Sequence, residues 1–316
     1  MAVAFVFPGQ GSQAVGMGKA LAEASSAARE VFDEVDGALS QKLSALMWEG
    51  PEAELTLTAN AQPALMAVSM AVLAVLRAEH GITVANTAKF VAGHSLGEYS
   101  ALAAAGTFSL ADTARLLRIR GLAMQGATPV GVGAMAAILA LDFADVAAIA
   151  AEAAQGDVCQ AANDNSSGQV VISGHKAAVD RACELAKARG AKRAILLPVS
   201  APFHCALMSP AADAMAEALQ GVAMHAPVVP LLATVVAGPI SEVGDIRKRL
   251  VEQVTGTVRW RECVGYMAAH DVKVFCEVGA GKVLTGLLKK NAPEAQGMAL
   301  GQPDDIVAAA AILKQG

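Results

Sequence analysis

The sequence predicts an α/β fold: a larger part built on a largely parallel sheet, with an inserted βαββαβ unit of ferredoxin-like arrangement. Three observations carry this. Short β-rich runs alternate with longer Ala/Leu-rich helical segments along the chain. One serine sits at a strand-to-helix turn, Gly93-His94-Ser95-Leu96-Gly97. The rhythm then changes between Gly133 and Pro198, where shorter strands pair around two helices.

Residues 3–7 read as the first strand and run into the glycine-rich loop Pro8-Gly9-Gln10-Gly11-Ser12-Gln13. Open α/β sheets place their sites at such carboxyl ends. The apolar run Lys89-Phe90-Val91-Ala92 reads as a strand and residues 98–105 as a helix, with the serine turn between them. A helix follows over 110–125. The inserted unit reads as strand 134–139, helix 143–154, strand 158–162, strand 169–173, helix 176–189 and strand 191–197. Gly126, Pro129, Gly131 and Gly133 punctuate its start and Pro198 its end. The division expected is 1–128 with 199–316 as the large subdomain and 129–198 as the small one. A helix over 207–219 follows the turn Ser200-Ala201-Pro202-Phe203 and His204.

A chain of 316 residues is long enough to bury a large core. Hydrophobic residues make up 54% and charged ones 17%, a balance inflated by alanine. The longest stretch suggestive of a membrane, 226–240, is too short and is broken by Pro227, Pro230 and Pro239. Residues 1–8 lack the basic region and apolar length of a secretion signal, so a cytoplasmic protein is expected. The cysteines Cys159, Cys183, Cys205, Cys263 and Cys276 are scattered without metal-ligand spacing and read as buried reduced thiols. A net charge of −5 without a long basic run argues against nucleic acid as a partner.

Ser95 is the strongest candidate for chemistry. A serine on so sharp a turn projects its hydroxyl outward, and glycines two residues to either side remove side chains that would collide. The N–H of Leu96 then opens a helix whose positive end favours a developing oxyanion. The plain alternative is a tight turn that needs small residues. Among the histidines, His80, His175, His225 and His270 read as ordinary positions at helix ends, a glycine turn and a loop. His94 neighbours the serine but points the other way on extended backbone. His204 follows the apolar run 194–199 and precedes a helix, where a neutral imidazole could take the serine proton. No Asp or Glu stands out as a third member.

Helical spacing puts Arg115 and Arg118 on one side of the helix 110–125, whereas Arg120 falls among Leu116, Leu117 and Met124 on the apolar stripe. A guanidinium cannot shed its charge, so burial there calls for an anion. An internal carboxylate, or snorkelling of the head to the surface, meets that requirement as well as a ligand carboxylate does.

Taken in order, several further segments join these residues. They are Phe5-Val6-Phe7-Pro8-Gly9-Gln10-Gly11-Ser12-Gln13, Gln62-Pro63-Ala64, Gly93-His94-Ser95-Leu96-Gly97-Glu98, Arg120-Gly121, Asn163 through Gly174, Phe203-His204, Gln253 with Val258-Arg259-Trp260, and Glu277-Val278-Gly279 with Val283-Leu284. Together they resemble the malonyl-CoA:acyl carrier protein transacylases and, more broadly, the acyltransferase domains of fatty-acid and polyketide synthases, over essentially the whole chain. The resemblance implies an α/β-hydrolase-like large subdomain and malonyl transfer from malonyl-CoA to the phosphopantetheine thiol of acyl carrier protein by a ping-pong route. It implies Ser95 as nucleophile, His204 as base, and the main-chain carbonyl of Gln253 in place of a triad acid. It implies Gln10 and Leu96 as oxyanion-hole donors, Arg120 as the clamp on the malonyl carboxylate, and Gln62 and Asn163 in support. Phe203 resembles the Phe-His pair of malonyl-selective members. The chain departs from the family at Thr257, where proline is frequent. No bound cofactor is implied, only a coenzyme A thioester substrate; the expected partners are malonyl-CoA and acyl carrier protein, without nucleic acid or membrane, and the expected state is a monomer.

Four rival readings remain, one of them a catalytically silent subunit that only binds carrier protein. An α/β-hydrolase thioesterase shares the serine turn but has no use for a buried Arg120. A transacylase subunit of malonate decarboxylase is possible on family grounds. A nucleotide binder is suggested by Gly279-Ala280-Gly281-Lys282, but Cys276 stands where the leading glycine belongs and Val283 where Ser or Thr belongs.

Overall fold

The computed structural model describes residues 2–199 and 201–314. Ten strands are labelled here: β1 Ala2–Phe7, β2 Ala88–Gly93, β3 Gly133–Leu139, β4 Cys159–Ser166, β5 Gln169–His175, β6 Arg193–Leu196, β7 Leu231–Ala233, β8 Gly238–Ile240, β9 Val272–Val278 and β10 Gln296–Leu300. They form two sheets. The larger has the order β10-β9-β1-β2-β7-β8, parallel throughout except at the β7–β8 pair. The smaller, β4-β5-β3-β6, is antiparallel and joins β3, β4, β5 and β6 around the helices Phe143–Ala154 and Lys176–Ala188. That is the βαββαβ arrangement the sequence predicts.

Both faces of the large sheet are covered, as a parallel sheet requires. Alternation along β1 distributes its side chains: Val3, Phe5 and Phe7 enter one core, whereas Ala4 and Val6 enter the other with Trp260 and Leu284. Burying Phe5 and Phe7 fully contributes about 1.5–3 kcal/mol each by transfer. A third core, around Ile138, Ile149 and Ile172, fills the small sheet's helical face.

Four sequence expectations need correction. The most membrane-like segment is the helix Thr58–His80, not residues 226–240; 78% of its apolar window is buried inside the protein, and Gln62, Pro63 and Ser69 lie within it. It is apolar on all sides because other elements surround it. β4 runs on to Ser166, beyond the expected end at 162. Polar Asn163, Asp164 and Asn165 weaken the local strand signal. Their pairing is nevertheless secured by β5 on one side and by the segment around Val258 on the other: Asp164 N donates to Val258 O at 2.9 Å, Val258 N donates to Ala162 O at 2.8 Å, and Arg261 pairs with the buried Asp164 at 2.8 Å. β6 is shorter than expected, and Ile195 and Leu196 on it are exposed, so it is an edge strand and not a buried apolar one. His175 closes β5 and precedes a helix, where a glycine turn was expected. Of the turn 200–203, Ser200 lies outside the described residues.

Candidate active site

Ser95 occupies the turn between β2 and the helix Gly97–Ala104, with φ 55°. A non-glycine residue at positive φ is strained, and such strain persists only where the surroundings enforce it. Here the close packing of β1, β2 and the helix start enforces it, and the glycines permit that packing. A Cβ on Gly93 would strike the backbone of Gly97, and one on Gly97 would strike the carbonyl of Phe7. β1, β2 and the helix start can approach only because both side chains are absent.

His204 also has a positive φ, 58°, and is buried. Its Nε2 lies 2.7 Å from Ser95 Oγ and its Nδ1 lies 2.9 Å from the main-chain oxygen of Gln253. That carbonyl sits in the last turn of the helix Val243–Thr255, where main-chain oxygens lack helical partners and the helix dipole is negative. A carbonyl only accepts, so Nδ1 carries the proton and Nε2 presents its lone pair to the serine hydroxyl. Burial, then the charge of Arg120, lowers the His204 pKa from 6.5 to about 3, against the opposing pull of the Gln253 carbonyl. The resting imidazole is neutral.

Arg120, on the helix Leu110–Gly126, is 1% exposed. Its Nη1 donates to Gln62 Oε1 at 2.8 Å, and its Nη2 donates to Gln253 Oε1 at 2.8 Å and to Ser95 Oγ at 3.1 Å. The guanidinium carbon lies 5.6 Å from the centroid of the Tyr99 ring, a cation–π approach. Gly121 makes this placement possible, since a Cβ there would meet the backbone of Thr58 and Ala59. Gln62 is held in turn by Thr58, whose hydroxyl donates to Gln10 Oε1 at 2.8 Å. Among the described residues no carboxylate pairs directly with Arg120, and its Nε has no partner. Burial lowers its pKa, but a guanidinium keeps its charge. The charge is therefore held by neutral acceptors, beside a hydroxyl, facing a cavity.

That cavity is about 500 Å³, and Gln10, Gln62, Ser95, Leu96, Arg120, Asn163, Phe203 and His204 all contribute to its walls. Gln253 stands behind them. Asn163 arrives from the small sheet on the extended part of β4, so both sheets supply the cavity. Met124, Met135, Val171, Leu197 and Val199 add apolar surface. Among the described residues, the N–H groups of Gln10 and Leu96 donate no hydrogen bond; Leu96 caps the helix Gly97–Ala104.

His94 turns away from the serine, with Nε2 2.8 Å from Asn165 Oδ1 and its ring 5.8 Å from Trp260. Burial lowers its pKa. The five cysteines are free and buried. The glycine turn 279–282 leads from β9 to the helix Val283–Asn291, and the carboxylate of Glu277 accepts from Leu284 N at 3.0 Å and Thr285 N at 2.7 Å. The amides that would bind a phosphate are already taken. Thr257, the departure from the family pattern, donates its hydroxyl to Ala161 O at 2.8 Å and fastens β4.

Two participants escape a reading from sequence. Thr58 links Gln62 to Gln10. Glu98, fully buried, accepts Thr234 N at 2.5 Å and the side-chain amide of Gln253. Burial pushes its carboxyl up to about 7, against those hydrogen bonds and the nearby Arg120 charge. Glu98 does lie inside the quoted serine motif, but nothing local marks it as buried.

Comparison with known proteins bears on the family and the fold. The family model described as "Acyl transferase domain" matches residues 4–303. The chain is 47% identical over 314 residues to the malonyl CoA-acyl carrier protein transacylase of Bacillus subtilis, covering 99% of this chain and 98% of that protein. Among solved structures, the acyl-carrier-protein-S-malonyltransferase of Bartonella henselae superposes with a TM-score of 0.97 at 57% identity, covering 99% of this chain and 100% of the other. A malonyl-transacylase solved in complex with a type II PKS acyl-carrier protein superposes with a TM-score of 0.95 at 41% identity, covering 100% of both chains. A mixed α/β fold, a hydrogen-bonded serine–histidine pair and end-to-end similarity converge on one conclusion: the chain belongs to the acyl transferase domain family, among the malonyl CoA-acyl carrier protein transacylases, and is an acyltransferase.

Proposed function

We propose that this enzyme transfers a malonyl group from malonyl-CoA to the phosphopantetheine thiol of an acyl carrier protein, supplying fatty-acid synthesis, by a ping-pong route through malonyl-Ser95. The observation that carries this reading is Arg120 Nη2 lying 3.1 Å from Ser95 Oγ, a fixed cation beside a nucleophile. His204 Nε2 takes the proton as Ser95 Oγ attacks the thioester carbon. The oxyanion that forms is received by the N–H groups of Gln10 and Leu96. The tetrahedral adduct collapses, the C–S bond breaks, and His204 returns the proton to the leaving coenzyme A thiolate. The carrier thiol then runs the sequence in reverse: His204 takes its proton, sulfur attacks the ester, and Ser95 leaves as the alkoxide and is reprotonated.

Arg120 receives the malonyl carboxylate through two N–H groups, held by Gln62 and Gln253, while Asn163 and Phe203 shape the wall around the acyl chain. Chemistry of this kind needs no resident cofactor. The reading places a monomer in the cytoplasm, with residues 1–128 and 199–316 carrying the nucleophile and base and residues 129–198 forming the facing wall. Against a thioesterase stand the carbonyl partner of His204 Nδ1 and the buried Arg120 without a direct carboxylate partner. The carbonyl replaces the acid that such hydrolases normally carry, and simple hydrolysis has no use for the cation.

Intact-protein mass spectrometry after exposure to malonyl-CoA tests the proposal. One malonyl group is expected on the wild type, none on Ser95→Ala, and the adduct should vanish when carrier protein is added. Sustained hydrolysis of malonyl-CoA without an acceptor would favour the thioesterase. Removal of the nucleophile should lower turnover by roughly 10⁴-fold or more.

A further inference from the structure

Gln253 does more than lend its main-chain oxygen to His204. Its side-chain amide, fully buried, sits among three neighbours of fixed character. Arg120 Nη2 only donates and faces Oε1 at 2.8 Å. The main-chain oxygen of Ser95 only accepts and faces Nε2 at 3.1 Å. The third neighbour is Glu98 Oε2, also facing Nε2. The other Glu98 oxygen is occupied by the main-chain N–H of Thr234 at 2.5 Å.

We propose that Glu98 is a positioning residue: its carboxylate fixes the Gln253 amide with Oε1 toward Arg120, and so aims the guanidinium at the acyl cavity. The inference rests on the reading of Arg120 as the malonyl clamp. Above its raised pKa of about 7 the carboxylate is ionised and offers acceptors on both oxygens, which suits two donors arriving from Thr234 and Gln253. It also places a negative charge one amide away from Arg120, inside a region where burial strengthens electrostatics. The amide of Gln253 thus separates the two charges. A direct pair would occupy the guanidinium; the intervening amide supports it and leaves it free for a ligand.

A glutamine at position 98 has the same shape and the wrong polarity. One end of its amide must donate. The main-chain N–H of Thr234 cannot turn, so the side-chain oxygen at position 98 would stay with it and the NH₂ group would face Gln253. Gln253 would then flip, setting its own NH₂ against Arg120 and its oxygen against the oxygen of Ser95. Arg120 would lose an acceptor and meet a donor, while His204 would keep its carbonyl.

Initial rates of transfer to carrier protein from malonyl-CoA and acetyl-CoA, with full-length Glu98→Gln, Glu98→Asp and Arg120→Ala, test this. Glu98→Gln should raise the malonyl KM by roughly 10- to 100-fold with kcat little changed, and move the acetyl KM by less than about 3-fold. Glu98→Asp, which keeps a carboxylate, should retain a malonyl preference. If Glu98→Gln leaves that preference unchanged, with rates held or falling together, while Arg120→Ala shifts it, this inference alone falls. If Arg120→Ala itself leaves the preference unchanged, the clamp reading falls and takes this inference with it. Neutron diffraction from the wild type needs no folded variant: deuterons on the Gln253 amide should point at Glu98 and at the Ser95 oxygen, and the opposite orientation overturns the proposal.

Discussion

Arg120 and Ser95 meet directly, Nη2 to Oγ at 3.1 Å, although one lies on the helix Leu110–Gly126 and the other in the turn after β2. The cation that would bind the acyl carboxylate also donates to the attacking oxygen. The guanidinium is held there by Gln62 and Gln253, while Ser95 Oγ keeps His204 Nε2 as its other partner at 2.7 Å.

Replacing Arg120 by Ala should lower malonyl transfer selectively. Removing one partner of a buried hydrogen-bonded charge pair costs about 2–5 kcal/mol, roughly 30- to several-thousand-fold in kcat/KM for malonyl-CoA. Acetyl transfer, with no anion to lose, should be spared or improved. Equal losses for the two acyl groups, measured side by side, would assign Arg120 to structure instead.

Phe203 lines the cavity immediately before His204 and is buried. We expect its ring to occupy the volume that an α-methyl group would need, so methylmalonyl-CoA should be disfavoured by about 1–3 kcal/mol, roughly 5- to 150-fold. Phe203→Ser should relieve that penalty without loss of malonyl transfer. A uniform fall with both substrates would show that the ring only supports the loop.

The His204 pKa, lowered from 6.5 to about 3, sets a pH signature. The unfolded chain binds a proton near 6.5 that the folded chain refuses until about 3, so this contribution to stability is present above 6.5 and is lost as pH falls toward 3. The slope approaches about 1.4 kcal/mol per pH unit. Glu98, raised to about 7, acts in the opposite sense, losing stability as pH rises from its ordinary value. Denaturant titrations of wild type and His204→Ala at several pH values isolate the histidine by difference: the variant's advantage should grow as pH drops below 6.5. In kcat/KM, no limb near 6.5 should belong to His204. A limb there in the wild type that nothing else explains would contradict the burial of the imidazole.

Gly97 and Gly286 should respond oppositely to alanine. A Cβ on Gly97 meets the Phe7 carbonyl and, through it, pushes β1 from the serine turn, at a cost of about 1–3 kcal/mol and with loss of activity. Gly286 lies within the helix Val283–Asn291 with open space around its Cβ position. Alanine there should stabilise by about 0.5–1 kcal/mol and leave transfer unchanged. Thermal unfolding alongside transfer rates separates the two.

Local pattern determined much of this protein. The serine turn is legible because strand, glycines and helix are contiguous, and the βαββαβ unit because each of its elements carries its own periodicity. The oddity of Arg120 was legible too, since helical spacing alone puts it on an apolar face. Spacing could not tell a ligand clamp from an internal ion pair, because that depends on what other segments bring to the guanidinium. Tertiary structure brought neutral Gln62 and Gln253.

The rest was decided by packing between distant segments. Asn163 reaches the cavity because β5 and Val258 both pair with β4 past the point where strand propensity fails. His204 lies not at the end of a buried sheet strand but in a loop after the exposed edge strand β6, aimed by a carbonyl in the last turn of the helix Val243–Thr255. A main-chain acceptor leaves no residue type to read. Glu98 looks like any glutamate at a helix start until Thr234 and Gln253 close over it. Sequence sets which segments become strands and helices, because those preferences act over a few residues. Which polar atoms become buried partners is fixed only when segments far apart in the chain share one desolvated space.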